Sequence, residues 1–446
     1  MFLTCSRESL LNAINIVSKA VSNRTTLPIL ECILLKCESD TFNLTANDLE
    51  LGIETAPIEC DITEEGSIAI EAKLFSEIIR RVNGDTVKIS TTDNKEAKIS
   101  CGNSEFTIAV SDADEFPAIP VVSKENSYKI KQKEIRDMIN GTIFSIAADE
   151  SKPVLTGELM EIKGGVINVV GVDGYRISFR KSEITGSNDA KVVVPGKALR
   201  EITKILSSEE DDEAVIYITD KHILFDLNGN IIVSRLIEGE YIKYEQTFTD
   251  DYKTRIIVNC HDMISSLERA SLISRDSRKI PVKLEILKDK VVITSRTDIG
   301  NVYEEVFCET VGDELKIAFN PRYLIDAFKA CDDDMVAVSF NSSLSPCIIK
   351  PEENDKYKYL ILPLRMWWWI NMRVIEIHTE YIKLQQLLKL ADVVGYGSDA
   401  KFLINEGKVI VNGEIATERG KKIRENDVVS VEGEEEDITV KVVGDM

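Results

Sequence analysis

Only three histidines occur in 446 residues, and His222, His261 and His378 belong to no metal-ligand spacing. A resident metal or other cofactor is therefore not expected. The nine cysteines are scattered from Cys5 to Cys347 and never spaced Cys-x-x-Cys. Reduced, mostly buried thiols suit that pattern better than a disulfide framework. No charged leader precedes an apolar stretch, and no run approaches the roughly 18 apolar residues of a membrane helix, so the expectation is a cytoplasmic protein with no membrane partner. A glycine-rich phosphate loop, a nucleophile with a positioned base and a motif-borne carboxylate pair are all missing, which argues against an enzyme. A basic excess is missing too: the net charge is −22. Any contact with nucleic acid must then use a segregated basic surface.

What the chain does contain is a repeat of 125 residues. Asp48, Asp173 and Asp298 keep that spacing, each after an apolar or β-branched run and so at the expected end of a strand. Leu74, Leu199 and Leu324 keep it as well, each early in a helix-like segment that follows a short strand. Every unit reads strand, helix, strands, second helix, strands, an α+β plan. First helices are expected over 8–21, 132–147 and 262–273, second helices over 73–82, 197–206 and 322–331. Pro117 and Pro120 close the first unit, an acidic stretch over 238–251 the second, and Leu362-Pro363-Leu364-Arg365-Met366 the third. The expected domains are 1–122, 123–250 and 251–366, then a junction over 367–371 and a separate module over 372–446.

On a helical wheel, Leu74, Ile78, Ile79 and Val82 fall on one side of the first unit's second helix, with Lys73 and Arg80 turned away. The second unit sets Leu199, Ile202 and Leu206 against Lys197, Arg200 and Lys204; the third sets Leu324, Phe328 and Cys331 against Arg322 and Lys329. One such face is ordinarily a solvated helix surface. Its recurrence in three units of so acidic a chain points to a shared basic surface. Flexible cations of this kind touch phosphates without reading bases, so binding should be independent of sequence and sensitive to salt.

Four stretches carry a family resemblance: Asn23-Arg24-Thr25-Thr26-Leu27-Pro28-Ile29-Leu30; Phe144-Ser145-Ile146-Ala147 with Lys152-Pro153-Val154-Leu155-Thr156-Gly157; Val172-Asp173-Gly174-Tyr175-Arg176-Ile177; and Leu362-Pro363-Leu364-Arg365. In that order, the chain over 1–366 resembles the beta subunit of bacterial DNA polymerase III, the sliding clamps. The resemblance implies three DNA-clamp domains per chain and a head-to-tail homodimer ring, with helices inside, sheets outside and duplex DNA through the hole. Arg24 and Lys73 become the first unit's DNA contacts, joined by Arg80, Lys197, Arg200, Lys204, Arg322 and Lys329. Asp149-Glu150, where the family commonly has neutral or polar contacts, weakens a DNA role for the loop before Lys152. Also implied is a groove between units two and three for short peptide motifs of the replicative polymerase, the clamp loader and repair proteins. Leu155, Gly174, Tyr175, Arg176, Ile177, Leu360, Ile361, Leu362, Pro363, Leu364 and Arg365 match its lining, and Ile242 stands where the family often has proline. An apolar slot with a few polar edges suits an extended peptide. The plainer alternative makes 360–364 an edge strand of the core.

Residues 372–446 fit no fourth repeat. They resemble the small RNA-binding domain of the ribosomal protein S-four type, through Leu387-Leu388-Lys389-Leu390, Ser398-Asp399-Ala400-Lys401, the run from Gly407 to Glu414, and Gly433 after Asp427-Val428-Val429-Ser430-Val431. A helix pair and a tight Asn-Gly hairpin are expected, a second small α+β fold. The module's charge is −5, with five acids over 432–437, while Arg419, Lys421, Lys422 and Arg424 cluster beside the hairpin. With Lys401 they are the candidates for RNA phosphates, against a merely solvated loop. The junction Met366-Trp367-Trp368-Trp369-Ile370-Asn371-Met372 is unlike a linker rich in glycine, serine or proline. Its codons would read TGG three times before an ATG, which suggests a former ribosome-binding segment read in frame. An RNA-binding protein on a clamp-derived scaffold is the alternative reading, and it leaves the repeat without a purpose.

Overall fold

The computed structural model describes residues 1–22, 25–92, 95–149, 151–186, 188–249, 251–274, 281–297, 300–364, 373–412, 414–425, 427–431 and 438–442. Helices α1 (Arg7–Val17) and α2 (Ala72–Arg81) belong to the first unit, α3 (Gln132–Asn140) and α4 (Gly196–Ile202) to the second, α5 (Cys260–Ala270) and α6 (Pro321–Lys329) to the third. The first helix of each unit is shorter than its apolar pattern suggests, and one device ends all three. A hydroxyl just beyond the helix turns back onto a carbonyl four residues earlier: Ser18 to Ile14 at 2.6 Å, Thr142 to Met138 at 2.9 Å and Ser271 to Leu267 at 2.7 Å. That bond competes with helix propagation, and a 3₁₀ turn follows each time, over Ser18–Ala20, Ile143–Ser145 and Leu272–Ser274.

The second helices correct one landmark. Leu74 is 45% exposed, whereas Phe75, Leu199 and Leu324 are buried. Glu71 caps α2 through the amides of Lys73 and Leu74, so Phe75 is the fourth residue of its helix, as Leu199 and Leu324 are of theirs. The helix starts one residue out of step with the 125-residue period, and the buried face moves with it. The aspartate landmark does hold at two sites. Asp48 Oδ1 accepts from Leu51 N at 2.7 Å and Asp173 Oδ1 from Arg176 N at 3.0 Å. The next residue has positive φ in both turns, +73° at Leu49 and +91° at Gly174, an unfavourable conformation for a leucine. Asp298 lies outside the described residues, although strand Lys290–Thr297 ends where it begins.

Sheets run through the unit boundaries. Strand Asn230–Arg235 of unit two pairs antiparallel with Leu51–Glu54 of unit one, and Tyr357–Ile361 of unit three pairs with Arg176–Glu183 of unit two. Units one and two share one apolar core, and unit three closes its own around α5 and α6. Two equivalent strands are left over. Ser104–Ala109, unit one's counterpart of Asn230–Arg235 and Tyr357–Ile361, pairs only with Glu96–Cys101 among the described residues. The front half of Gly300–Gly312, unit three's counterpart of Leu51–Glu54 and Arg176–Glu183, pairs among the described residues only with Lys290–Thr297.

The last module has a separate core of Ile377, Leu384, Leu387, Leu388, Ile404, Val409 and their neighbours. Helices α7 (Leu384–Leu390) and α8 (Gly397–Asn405) precede the hairpin of Val409–Val411 with Glu414–Ile415. Asn412 at the hairpin tip has φ +53°, as a two-residue turn of this hand requires. The first and last strands, Arg373–Ile377 and Ile438–Val442, pair parallel. The junction 365–372 lies outside the described residues. No helix among the described residues is long and apolar enough to cross a membrane.

Candidate functional site

The recurring cations are exposed on or beside the second helices, but they are not a row of unpaired charges. Arg80 meets Glu77 at 3.1 Å, Lys204 meets Glu201 at 2.7 Å and Lys329 meets Glu268 at 2.7 Å. Lys204 stands in the turn after α4, which ends at Ile202. Lys197 crosses a unit boundary to Asp48, 2.8 Å away, with Glu50 at 3.8 Å, and the Asp48 bond raises its pKa. Lys73, Arg200 and Arg322 show no ion pair among the described residues, and Arg24 lies outside them. A wheel shows which side of a helix is polar. It cannot show that an acid from another unit already faces it.

Between units two and three a buried apolar cluster gathers three of the residues expected to line the slot. Ile177 and Leu360 are directly opposed across the shared sheet and are buried with Leu155, Leu159, Val170, Val172, Tyr241 and Tyr244. Tyr175, 58% exposed, and Leu362, 41% exposed, form the rim, tied by Leu362 N donating to Tyr175 O at 2.9 Å. Gly174 in its turn has open space where a Cβ would point. Pro363 and Leu364 are half-buried, and Leu364 N donates to Ala318 O at 2.8 Å. Arg365 lies outside the described residues. Two expectations are corrected. Ile361 packs into the core of unit three, because alternate residues of a strand face opposite ways and its neighbours Leu360 and Leu362 take the slot side. The strand Tyr357–Ile361 is no edge, being paired on both sides.

Arg176 organises the wall. Its guanidinium lies 3.0 Å from Asp173 and 2.7 Å from Asp326, donates to Phe144 O, and sits over the Tyr323 ring at 4.4 Å. Tyr175 stacks on Tyr323 with ring centroids 6.2 Å apart. Tyr323 and Asp326 come from α6 and were missed in the sequence, as were the aromatics Tyr241, Tyr244 and Phe248 that roof the buried part of the slot. Deeper in the same seam, Arg180 is 3% exposed. It pairs with Asp332 at 2.8 Å, bonds Tyr359 Oη at 3.1 Å and also reaches Ala330 O. Burial alone would raise the Asp332 carboxyl, but Arg180 and Lys356 hold it below its ordinary value.

In the last module Lys401 is exposed on α8, and Arg419, Lys422 and Arg424 are exposed while Lys421 is half-buried. The carbonyls of Lys421 and Arg419 accept from Leu384 N and Gln385 N at 2.8 and 3.1 Å, which fixes this loop at the start of α7. Lys422 lies over the Tyr381 ring at 4.2 Å. All nine cysteines are free thiols.

Three like α+β units joined sheet to sheet, with paired helices and an intervening slot, define a repeat-built scaffold followed by a small separate module. Residues 1–120, 129–243 and 245–365 match the N-terminal, central and C-terminal domains of the DNA polymerase III beta subunit, and 375–441 match the S4 domain. The chain belongs to the DNA polymerase III beta subunit family and carries a C-terminal S4 domain, an RNA-binding domain. The beta sliding clamp of Staphylococcus epidermidis is 35% identical over 375 residues, covering 82% of this chain and 99% of that one. That of Halalkalibacterium halodurans is 34% identical over 380 residues, covering 82% and 100%. Among solved structures, a DNA polymerase III beta subunit of Eubacterium rectale superposes with TM-score 0.79 at 40% identity, over 82% of this chain and 100% of that one. The Bacillus subtilis sliding clamp gives 0.79 at 31%, over 82% and 99%.

Proposed function

We propose that two copies of this chain close head to tail into a ring that encircles duplex DNA and tethers the replicative polymerase and other partners, a mechanical and not a catalytic role. The carrying observation is the pair of unmatched strand edges. The repeat needs three inter-unit strand pairings per chain, two are made internally, and the leftovers are complementary and lie in the first and third units. A heterologous contact between them closes on itself after two copies. Carrying the internal registers forward by the repeat spacing sets Phe106 opposite Tyr303, both solvent-exposed aromatics of the kind that stabilise cross-strand pairs.

Topological linkage explains how an acidic chain can serve DNA, because the ring need not bind tightly to stay on. Lys73, Arg200 and Arg322 are the cations best placed for phosphates, with Arg80, Lys204 and Lys329 as exposed neighbours already shared with acids. The slot lined by Leu155, Tyr175, Ile177, Leu360 and Leu362 suits the apolar residues of a short extended peptide, and Arg176 braces its wall. In the S4 domain, Lys401, Arg419, Lys421, Lys422 and Arg424 are proposed to hold RNA phosphates. The test is retention on DNA after loading. Protein loaded on a nicked circle should stay until the circle is linearised and then slide off the ends. Persistence on linear DNA with open ends would mean an ordinary binder.

A further inference from the structure

Three of the nine cysteines stand in one row across the five-stranded sheet of unit one. Cys60, which opens the strand Cys60–Glu64, is directly opposite Cys5 of Phe2–Ser6; Cys5 is opposite Val87, and Val87 is opposite Cys101. Residues so opposed in antiparallel strands point to the same face. Here that face is the apolar core: Cys5, Val87 and Cys101 are buried in it, and Cys60 packs against it. Cys37 reaches the same core from the eight-stranded sheet.

Spacing singles out one pair. Residues directly opposed in an antiparallel ladder have Cα atoms about 4.5 to 5.5 Å apart, inside the range of roughly 4.4 to 6.8 Å that a disulfide spans. Cys5 and Cys101 lie two strand spacings apart, roughly 9.5 Å, and fall outside it. Access differs as well. Cys60–Glu64 is the edge of its sheet among the described residues and Cys60 is half-buried, so a solute can reach its sulfur, whereas Cys5 is 4% exposed. Burial pushes both thiols up, to about 12 at Cys5 and about 11 at Cys60. Thiolate is therefore scarce near neutrality, and the pair yields only to a sustained oxidant.

We propose that Cys5 and Cys60 are a redox-responsive pair that closes into a reversible cross-strand disulfide when the protein meets a low-molecular-weight disulfide. The Cys60 thiolate, its proton given to water, attacks one sulfur of the oxidant; a mixed disulfide forms and one small thiolate leaves. Cys5, losing its proton in turn, attacks the Cys60 sulfur and expels the second small thiolate. The two departing thiolates take up the two protons, so two protein thiols are oxidised while the small disulfide is reduced to two thiols. The bridge fastens the first strand of the chain to the sheet edge and closes residues 5–60 into a loop, which stabilises unit one against unfolding. That sheet also carries Ser104–Ala109, one of the two unmatched edges. The bridge itself lies within one chain and is independent of the ring.

The test holds the full-length protein with oxidised glutathione at mildly alkaline pH, where thiolate is more abundant, then unfolds it, alkylates the remaining thiols and measures the mass. The wild type should lose two of its nine alkylation sites, a peptide map should join Cys5 to Cys60, and a reductant should restore all nine. Cys5→Ser, lacking the second thiol, should stop at a glutathione adduct on Cys60, and Cys60→Ser should form neither adduct nor bridge. Cys101→Ser should behave as the wild type. Oxidation should raise the unfolding temperature of the wild type by about 5 °C, a gain that Cys60→Ser lacks. Nine alkylated cysteines in the treated wild type, a glutathione adduct that never resolves, or a bridge that maps to another pair such as Cys5 with Cys37 would overturn the assignment.

Discussion

Lys197 Nζ lies 2.8 Å from Asp48 Oδ2, so a cation that helical periodicity assigns to DNA is tied to an acid of the preceding unit. Asp48 is the more shielded partner, its side chain 8% exposed against 69% for Lys197. The bond itself should contribute only about 0.2 to 1 kcal/mol, as exposed pairs do. Its larger effect is to occupy a positive charge.

Asp48→Asn keeps the turn, because Oδ1 still accepts from Glu50 N and Leu51 N, and releases Lys197. Binding of the variant to short duplex DNA should gain about 0.9 in the steepness of log affinity against log salt, one more phosphate neutralised. An unchanged slope would mean that Lys197 does not face DNA even when released.

Ring closure can be trapped chemically. Phe106→Cys combined with Tyr303→Cys in one chain should give, on mild oxidation, a covalently closed dimer, while the wild type with its native thiols should not. Denaturing electrophoresis reads the product. Absence of the cross-link in a protein that sediments as a dimer would place the contact elsewhere.

Glu158 gives the fold a pH dependence. It is fully buried, its Oε1 lies 2.7 Å from Thr142 Oγ1 and its Oε2 has no hydrogen-bond partner among the described residues. Burial pushes its pKa up to about 8. Below the ordinary carboxylate range both folded and unfolded states hold the proton. As pH rises toward 8 only the unfolded state releases it, so stability falls through that window and levels off above it. Glu158→Gln should be more stable than wild type at pH 8.5 by up to a few kcal/mol and nearly equal near pH 4.5. Parallel denaturation curves at the two pH values check this.

Arg180 and Asp332 should respond unequally to truncation. Asp332→Ala leaves a buried guanidinium with no carboxylate among the described residues, held by Tyr359 Oη, Ala330 O and the face of the Tyr357 ring, and should cost about 3 kcal/mol or more. Arg180→Met leaves a half-exposed carboxylate that water can serve, and should cost less. Gly141→Ala should resemble the Arg180 loss, since its Cβ would meet Arg180 Nε at 2.1 Å. Chemical denaturation ranks the three, and an Arg180→Met protein weaker than Asp332→Ala would contradict the argument.

Much of the architecture was legible in one dimension. The 125-residue period, the order of strands and helices in each unit, the aspartate turns and the Asn-Gly hairpin depend on residues a few positions apart, where capping, turn chemistry and apolar periodicity act. Helix ends were less legible, because Ser18, Thr142 and Ser271 stop their helices with hydroxyl bonds that an apolar pattern does not reveal. The slot was partly legible: its segments could be named, but Tyr323 and Asp326 could not. What the tertiary structure alone decided is which charges meet. Lys197 finds Asp48 across 149 positions, Arg176 finds Asp326 across 150 and Arg180 finds Asp332 across 152. Those encounters follow from the registers between units, and Coulomb attraction depends on distance in space, which no local pattern records.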